Sequence, residues 1–151
     1  MEVLRLSESE ATRIIVRSEI SDARGARYLV REPVNQAEIG RPYQLLRDGA
    51  YPRPISEGDA HLVVTDESDQ VIGGLAFVAQ EADYVVIKGP VVAAPLQGRG
   101  IAAALLEDFC IRMAARGVRL VKTDFVLQRT YGADGFRVDA RFGGLVRVLP
   151  R

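Results

Sequence analysis

Residues 95–106, PLQGRGIAAALL, place two glycines around an arginine just before a run of small and apolar residues that predicts a helix. The first N–H groups of a helix have no partner within it, and the helix dipole favours negative charge at that end. Gly98 and Gly100 can take positive φ angles and let a ligand approach the backbone, while Arg99 adds a positive charge. The stretch is suited to hold a pyrophosphate, or else it is a plain helix start of the kind that many proteins have.

The common nucleotide-binding loops do not fit this stretch. No Lys-Ser or Lys-Thr pair comes after the glycines, so it is not a Walker loop, and the third glycine of the dinucleotide fingerprint is missing. A row of alanines, Ala102, Ala103 and Ala104, comes next and leaves room around the first helical turn. The loop on its own leaves both interpretations open.

Two motifs taken together resemble one protein family. Residues 97–102 read Gln-x-x-Gly-x-Ala, which resembles the acyl-CoA pyrophosphate signature of the GNAT superfamily of N-acetyltransferases. Residues 131–136, YGADGF, resemble the Tyr-x-x-x-Gly-Phe segment that this family has near its C-terminus. The resemblance is good over residues 71–148 and only general over the first seventy. It implies an α/β (α+β) fold of the GNAT type, with a mixed, mostly antiparallel sheet flanked by helices on both faces, in a single domain over residues 1–151.

The same resemblance implies roles for particular residues, with acetyl-CoA as the co-substrate. The residues implied to bind it are Val91, Val92, Gln97, Gly98, Arg99, Gly100, Ile101 and Ala102. Backbone N–H groups near Val91 and Val92 would bind the CoA arm and polarise the thioester carbonyl. Tyr131 stands where the family often has the tyrosine that protonates the departing thiolate, and a phenol stays protonated at neutral pH. Alternatively, Tyr131 only packs its ring beside Gly132.

The general base is not identified by the sequence. In the family it is often a carboxylate on the strand before the pyrophosphate loop, but the interior of that strand here carries Lys88. Glu81 and Asp83 stand at the start of this strand, where a solvated hairpin turn also explains them. Asp124 comes after the next strand, and a helix cap or a salt bridge would explain it equally well. Histidine titrates in the range that suits a base, but a lone histidine at a strand start, such as His61, is more often structural.

Lys88, Gly89 and Pro90 interrupt the strand before the loop. A glycine and a proline together predict a bulge or a splay of the kind that opens a slot between strands. Lys88 could contact an acidic acceptor or a CoA phosphate, or it is simply solvated. The family builds its acceptor pocket mainly from the first helices, which fall in residues 26–59 here, and charges of both signs in that stretch leave the acceptor undefined.

The elements that would position these motifs are predicted from hydrophobic periodicity and turn residues. Helices are predicted from Ser7 to residues 22–25, around residues 43–47 and over residues 101–116 up to Gly117, and a short helical or turn segment is predicted around residues 129–134. Strands are predicted over residues 2–6, 61–65, 71–79, 84–92 and 118–125, and in two short runs within residues 135–149 that pair across Gly143 and Gly144. Polar turns at residues 66–70 and 81–83 join the three middle strands into an antiparallel meander.

The composition is that of an ordinary globular domain. The 151 residues are 48% hydrophobic and 26% charged with a formal net charge of zero, and the basic residues are scattered, so neither a nucleic-acid partner nor a membrane is expected. With one cysteine, Cys110, and one histidine, no disulfide and no metal site are expected. The N-terminus does not resemble a signal peptide, so we expect a cytoplasmic protein. Edge strands favour pairing, so a homodimer through the C-terminal GGLVRVL is a further expectation.

Three functions remain open at this point. The first is a CoA-dependent N-acyltransferase that uses acetyl-CoA and acetylates, by direct attack, a primary amine of a small molecule or an amino-acid-like acceptor. The second is a non-catalytic GNAT-fold module that binds acyl-CoA or a partner protein, which the missing carboxylate on the central strand favours. The third is an unrelated α/β domain in which the glycine loop only begins a helix. The paired motifs around Gly98 and Tyr131 favour the first.

Overall fold

A sheet of eight strands forms the framework of the residues that the structure describes. The structure is a computed structural model, and it describes residues 18–44, 60–123, 135–139 and 144–150. The strands are β1 (Ser18–Ser21), β2 (Arg27–Arg31), β3 (Ala60–Thr65), β4 (Val71–Glu81), β5 (Tyr84–Val92), β6 (Leu120–Thr123), β7 (Arg137–Asp139) and β8 (Gly144–Val148). The helices are α1 (Gln36–Gln44) and α2 (Ile101–Ala115), with a short 3-10 turn at Ala94–Leu96. Within these residues, no helix has the length and apolar character needed to cross a membrane.

The strands lie in the order β1-β2-β3-β4-β5-β6-β8-β7. Neighbouring strands pair antiparallel except β5 and β6, which run parallel from Tyr84 opposite Leu120 to Ile87 opposite Thr123. Helix α2 provides the long connection that a parallel pair needs. The glycine loop therefore lies at one end of the sheet, between the end of β5 and the start of α2.

The two helices cover opposite faces of the sheet. On one face, the ring of Phe109 in α2 meets that of Phe77 in β4 edge to face, with centroids 5.0 Å apart. The buried residues of α2 recur with the spacing of one helical face: Ile101, Leu105, Leu106, Phe109, Cys110 and Met113. Helix α1 lies on the other face, because a Cβ atom on Gly74 of β4 would come within 2.9 Å of Pro42 Cγ. The predicted mixed, mostly antiparallel sheet with helices on both faces is confirmed.

The sequence-based prediction is most accurate where the hydrophobic pattern is strongest. The meander of β3, β4 and β5, helix α2 and the pairing of β7 with β8 are confirmed. Gly117, with φ of +88°, comes after the end of α2 as predicted. The strand predicted at residues 2–6 and the helical or turn segment predicted at residues 129–134 lie outside the described residues.

Two predicted helices differ from the structure at the ends that the structure describes. The helix that begins at Ser7 is predicted to reach residues 22–25, but Ser18–Ser21 is a strand in a hairpin with β2. Ile20 is buried between two exposed neighbours there, which is the alternation of a strand. The helix predicted around residues 43–47 begins earlier, after Asn35, whose Oδ1 accepts the N–H of Glu38 at 3.0 Å and caps α1.

The segment GGLVRVL does not form the edge strand on which the expected dimer contact depends. This segment contains β8, which pairs with β6 on one side and with β7 on the other. β8 is therefore an inner strand of the described sheet, paired with β6 over residues 145–148 and with β7 over residues 144–146. The outer strands of the described sheet are β1 and β7.

Candidate functional site

The glycine loop ends at the N-terminus of α2, and both of its glycines are left-handed. The φ angle is +83° at Gly98 and +85° at Gly100, which is the residue that caps the helix. The first hydrogen bond within the helix runs from Ala104 N–H to Gly100 O at 3.0 Å, so the three N–H groups before it have no partner inside the helix. The loop therefore presents backbone donors at the positive end of the helix dipole.

The loop is held on one side and open on the other. Ala23, in the turn between β1 and β2, donates its N–H to Arg99 O at 2.7 Å. A Cβ atom on Gly100 would lie 3.8 Å from Ala23 N, whereas a Cβ atom on Gly98 would meet nothing within 4 Å. In the described structure, an anion can therefore approach the backbone beside Gly98.

The positive charge of Arg99 interacts with the buried carboxylate of Asp22. Asp22, only 7% exposed, accepts the Tyr28 hydroxyl at 2.9 Å and the N–H groups of Arg24 and Ala26 at 2.8 and 3.0 Å. Burial acts to raise the pKa of Asp22, but these hydrogen bonds and the charge of Arg99 together hold it below its ordinary value. Burial and the contact with Asp22 raise the pKa of the Tyr28 hydroxyl. Arg99 thus faces an ionised carboxylate at neutral pH, and its charge is not wholly available to a ligand.

A bulge lies in β5 where the sequence predicts an interruption. Gly74 of β4 pairs with Val91 of β5, and the next pair is Ala76 with Lys88. Between these two pairs, β4 has one residue and β5 has two. One residue of β4 therefore faces two residues of β5, which defines a bulge. Gly89 lies inside it with φ of +115°, a value that side chains other than glycine rarely adopt. The bulge that the glycine and proline predict is confirmed.

The backbone of Val92 faces away from β4. Ala93 donates its N–H to a carbonyl of β4 at 2.8 Å, so Val91, two residues earlier, directs its N–H toward β4 and Val92 directs its own to the other side. The carbonyl of Val92 agrees with this, because it accepts a hydrogen bond from Gln97 Nε2 at 3.1 Å. Strand β6 pairs with β5 only up to Ile87. The Val92 N–H therefore points to a side of β5 that no described strand occupies.

The candidate bases lie in different parts of the structure. Glu81 and Asp83 are exposed at the turn between β4 and β5, and roughly 20 Å of strand separates them from the bulge. That distance is too long for either to act on an amine at the bulge. His61 is buried on β3, on the face where α1 lies and two strands away from β5. Asp124 and the predicted catalytic Tyr131 lie outside the described residues.

Sequence reasoning misses the turn that supports the glycine loop. Periodicity places Asp22 and Ala23 at the end of a helix, whereas they form the turn between β1 and β2 that contacts the loop. A usable signal is the Asp-x-x-Gly pattern of Asp22 and Gly25. Aspartate side chains accept N–H groups within turns, and Gly25 supplies the positive φ, here +86°.

Comparison with known families gives one clear match. A family model described as Acetyltransferase (GNAT) domain matches residues 30–141, which is most of the chain. Among curated proteins, no sequence matches significantly. The family match covers the glycine loop, the bulge in β5 and the position of Tyr131.

Solved structures agree with this match in their fold. A GNAT family N-acetyltransferase (YhbS) from Escherichia coli in complex with CoA has a TM-score of 0.64 and 22% identity over 83% of each chain. A GNAT family acetyltransferase from Brucella melitensis in complex with acetyl-CoA has a TM-score of 0.64 and 19% identity over 82% of this chain and 89% of that one. The GNAT domain of PAT from S. lividans has a TM-score of 0.66 and 19% identity over 87% and 94%. At these identities the likeness establishes the fold.

Proposed function

We propose, on the premise that the chain belongs to the GNAT acetyltransferase family, that it transfers an acetyl group from acetyl-CoA to a primary amine of a small molecule or an amino-acid-like acceptor. The observation that carries the proposal is that three backbone features follow one another along the chain. They are the bulge in β5, the N–H of Val92 that points away from β4, and the loop before α2 whose two glycines have positive φ angles. These backbone features suit a long anionic thioester. Neighbours solved with CoA or acetyl-CoA support acyl-CoA as the donor.

Backbone donors at the loop would hold the pyrophosphate. The N–H groups of Ile101 and Ala102 lie in the first turn of α2, where the helix dipole attracts an anion. Gly98 fits this role because the space where its side chain would be is open. Gln97 would act indirectly, since its side chain binds the carbonyl of Val92 and ties the loop to β5.

Acyl transfer needs a neutral amine, a polarised carbonyl and a proton for the leaving sulfur. The amine nitrogen attacks the carbonyl carbon of the thioester, the C–N bond forms, the C–S bond breaks, and CoA leaves with a proton on its sulfur. The outward N–H of Val92 would donate to the carbonyl oxygen as that oxygen gains negative charge. Tyr131 would supply the proton to the thiolate, the proton that the amine loses passes to solvent, and the Tyr131 phenolate takes a proton back from solvent.

Calorimetric titration with acetyl-CoA tests the binding half of the proposal. Gly98→Ala and Gly98→Glu share the strain of a Cβ atom at positive φ, on the order of 1 kcal/mol, but only glutamate adds a charge that repels a pyrophosphate. We expect wild type to bind with a micromolar Kd and Gly98→Glu to bind about tenfold more weakly than Gly98→Ala. No binding by the folded wild type would overturn the proposal.

The catalytic half is tested through Tyr131. Tyr131→Phe keeps the ring and removes the hydroxyl, so kcat should fall about 100-fold while the Kd of acetyl-CoA stays unchanged. Release of the free CoA thiol in the presence of a panel of amines measures turnover. An unchanged kcat would remove Tyr131 from the mechanism. Binding of acetyl-CoA without turnover of any amine would favour the non-catalytic module instead.

The wider setting of the protein is part of the same proposal. The neutral net charge and scattered basic residues support an enzyme with no nucleic-acid or membrane partner, acting in the cytoplasm. One cysteine and one histidine support a reaction without a metal. A homodimer stays part of the proposal, but β8 is an inner strand of the described sheet and is not the edge strand expected for the contact.

A further inference from the structure

Two turns of the described structure are built from the same set of hydrogen bonds. They are residues 22–26, DARGA, between β1 and β2, and residues 66–70, DESDQ, between β3 and β4. In each turn, Oδ1 of the first aspartate accepts the N–H groups of the residues two and four positions later, at 2.8 and 3.0 Å in one and 2.9 and 3.0 Å in the other. The fourth residue has a positive φ and donates its N–H to the carbonyl of that aspartate. Each turn is therefore a three-residue hairpin loop that its own groups close.

The turn at residues 22–26 makes one further backbone hydrogen bond, to the glycine loop. Its second residue, Ala23, donates its N–H to Arg99 O at 2.7 Å. Glu67, which has the same position in the other turn, is exposed and makes no such bond in the described structure. Because residues 66–70 form the same turn without this bond, closing the hairpin does not require it. The bond of Ala23 therefore acts on the glycine loop.

The same turn also attracts the side chain of Arg99. The positive charge of Arg99 interacts with the carboxylate of Asp22, which is buried, whereas the corresponding Asp66 is half-buried. Moving a carboxylate out of water is unfavourable unless charges and hydrogen bonds compensate it. The turn thus holds Arg99 at two points, its carbonyl oxygen and its charged group.

The bond to Arg99 O fixes the direction of the next N–H group. Arg99 O and Gly100 N–H belong to one planar trans peptide group, in which the two bonds point in opposite directions. Because Arg99 O faces Ala23, the Gly100 N–H faces away from the hairpin. Gly100 caps α2, and the N–H groups of the three residues after it have no partner inside the helix. Ala23 therefore sets the direction of a donor that lies directly before these three.

We infer that the turn between β1 and β2 belongs to the acyl-CoA site, with Ala23 as a positioning residue whose N–H holds Arg99 O so that the Gly100 N–H faces the pyrophosphate. The inference rests on the proposed function. It extends the site to a hairpin turn that lies before residues 30–141, the part of the chain that the family model matches. A loop whose donors are already directed binds an anion more tightly, because the ligand does not have to order it.

Proline substitutions separate the turn from its contact. Proline suits the second position of such a turn. Ala23→Pro removes the N–H and puts a ring carbon in its place, so Arg99 O must move away. Glu67→Pro makes the same change in the other turn and is the matched control. In calorimetric titration with acetyl-CoA, Ala23→Pro should raise the Kd at least about tenfold, and Glu67→Pro should leave it unchanged.

The amide of Gly100 provides a readout that a change in stability alone does not move. In nitrogen-15 NMR spectra of wild type, the Gly100 amide proton should shift downfield when acetyl-CoA binds, because hydrogen bonds to ionised oxygens are short and strong. At the same bound fraction, this shift should be lost in Ala23→Pro and kept in Glu67→Pro. Urea unfolding checks that both proline variants are folded.

Three results would overturn the inference while leaving acetyl-CoA binding intact: an unchanged Kd for Ala23→Pro, an equal rise in Kd for both proline variants, and a Gly100 amide in wild type that does not respond to acetyl-CoA. If Ala23→Pro does not fold, the Gly100 amide of wild type still decides. Absence of turnover with every amine would overturn acetyl transfer, and the two binding measurements would still decide the role of Ala23. No binding by folded wild type would overturn the proposed function and this inference together.

Discussion

One partly buried ion pair ties helix α1 to the sheet. Arg31 of β2 donates to both carboxylate oxygens of Glu38 at 2.8 and 2.9 Å, and Glu38 also accepts the N–H of Val34 at 2.8 Å. The two charged side chains are 14% and 18% exposed, so solvent screens them much less than it screens a surface pair. Glu38→Gln keeps the shape of the side chain and removes its charge. The variant therefore measures what the ionised carboxylate contributes to stability.

The pKa of Glu38 sets the expected magnitude. The hydrogen bond from Arg31, opposed by burial, lowers this pKa from an ordinary 4.5 to about 2. Because the pKa is lowered by folding, the ionised form stabilises the protein fully above pH 4.5, and this stabilisation is lost as the pH falls through 2. The difference corresponds to about 3 kcal/mol at pH 7 and about 1.5 kcal/mol at pH 3.

Urea unfolding of wild type and Glu38→Gln at pH 7 and pH 3 measures this difference. We expect the variant to be less stable by about 3 kcal/mol at pH 7 and the gap to shrink by about half at pH 3. Glu107→Gln is the matched control, because it removes from Arg147 a carboxylate that is 50% exposed, and it should cost less than about 1 kcal/mol. A gap for Glu38→Gln below about 1 kcal/mol at pH 7, or one that acid does not reduce, would refute the reasoning.

Two further changes test the packing around the site. Gly74→Ala would place a Cβ atom 2.5 Å from Leu62 O, so it should destabilise the fold by about 2–3 kcal/mol in urea unfolding. Gly25→Ala, with open space around its Cβ atom, should cost only about 1 kcal/mol for its positive φ; equal losses would show that the sheet yields around Gly74. Gln97→Leu removes the donor to Val92 O, so the Kd of acetyl-CoA in calorimetry should rise about fivefold. An unchanged Kd would show that the loop keeps its place without this bond.

Helix α2 and the meander of β3, β4 and β5 could be predicted because their patterns are local. In α2, Leu105, Phe109 and Met113 recur at the spacing of one helical face, and the structure buries all three. In the meander, polar turns separate apolar runs of strand length, and each run forms a strand in the structure. In both places the burial that the fold requires coincides with the periodicity that can be read along the chain.

The hairpin of β1 and β2 and helix α1 could not be predicted, because tertiary contacts decide them. The turn between β1 and β2 is held by the bond from Ala23 N–H to Arg99 O, far away in the sequence. Helix α1 contains Gly40 and Pro42, which both disfavour a helix. Its position depends on the contact of Glu38 with Arg31, which no local pattern reveals.

The candidate site divides in the same way. The loop was predictable because the conformational freedom of glycine depends on residue type alone, and Gly98 and Gly100 do take positive φ. The direction of the Val92 N–H depends on strand register, which the sequence does not state. The interaction of Arg99 with the carboxylate of Asp22 depends on a turn from another part of the chain. The sequence therefore could not show that Asp22 partly neutralises the charge that Arg99 offers to a ligand.

The proposed function assigns the binding of acetyl-CoA to backbone groups more than to side chains. Acetyl-CoA would be bound and polarised mainly by backbone N–H groups of β5 and α2, whose positions depend on glycines and on the bulge. Substitutions of Gly98 should therefore change the Kd of acetyl-CoA and leave the choice of amine unchanged.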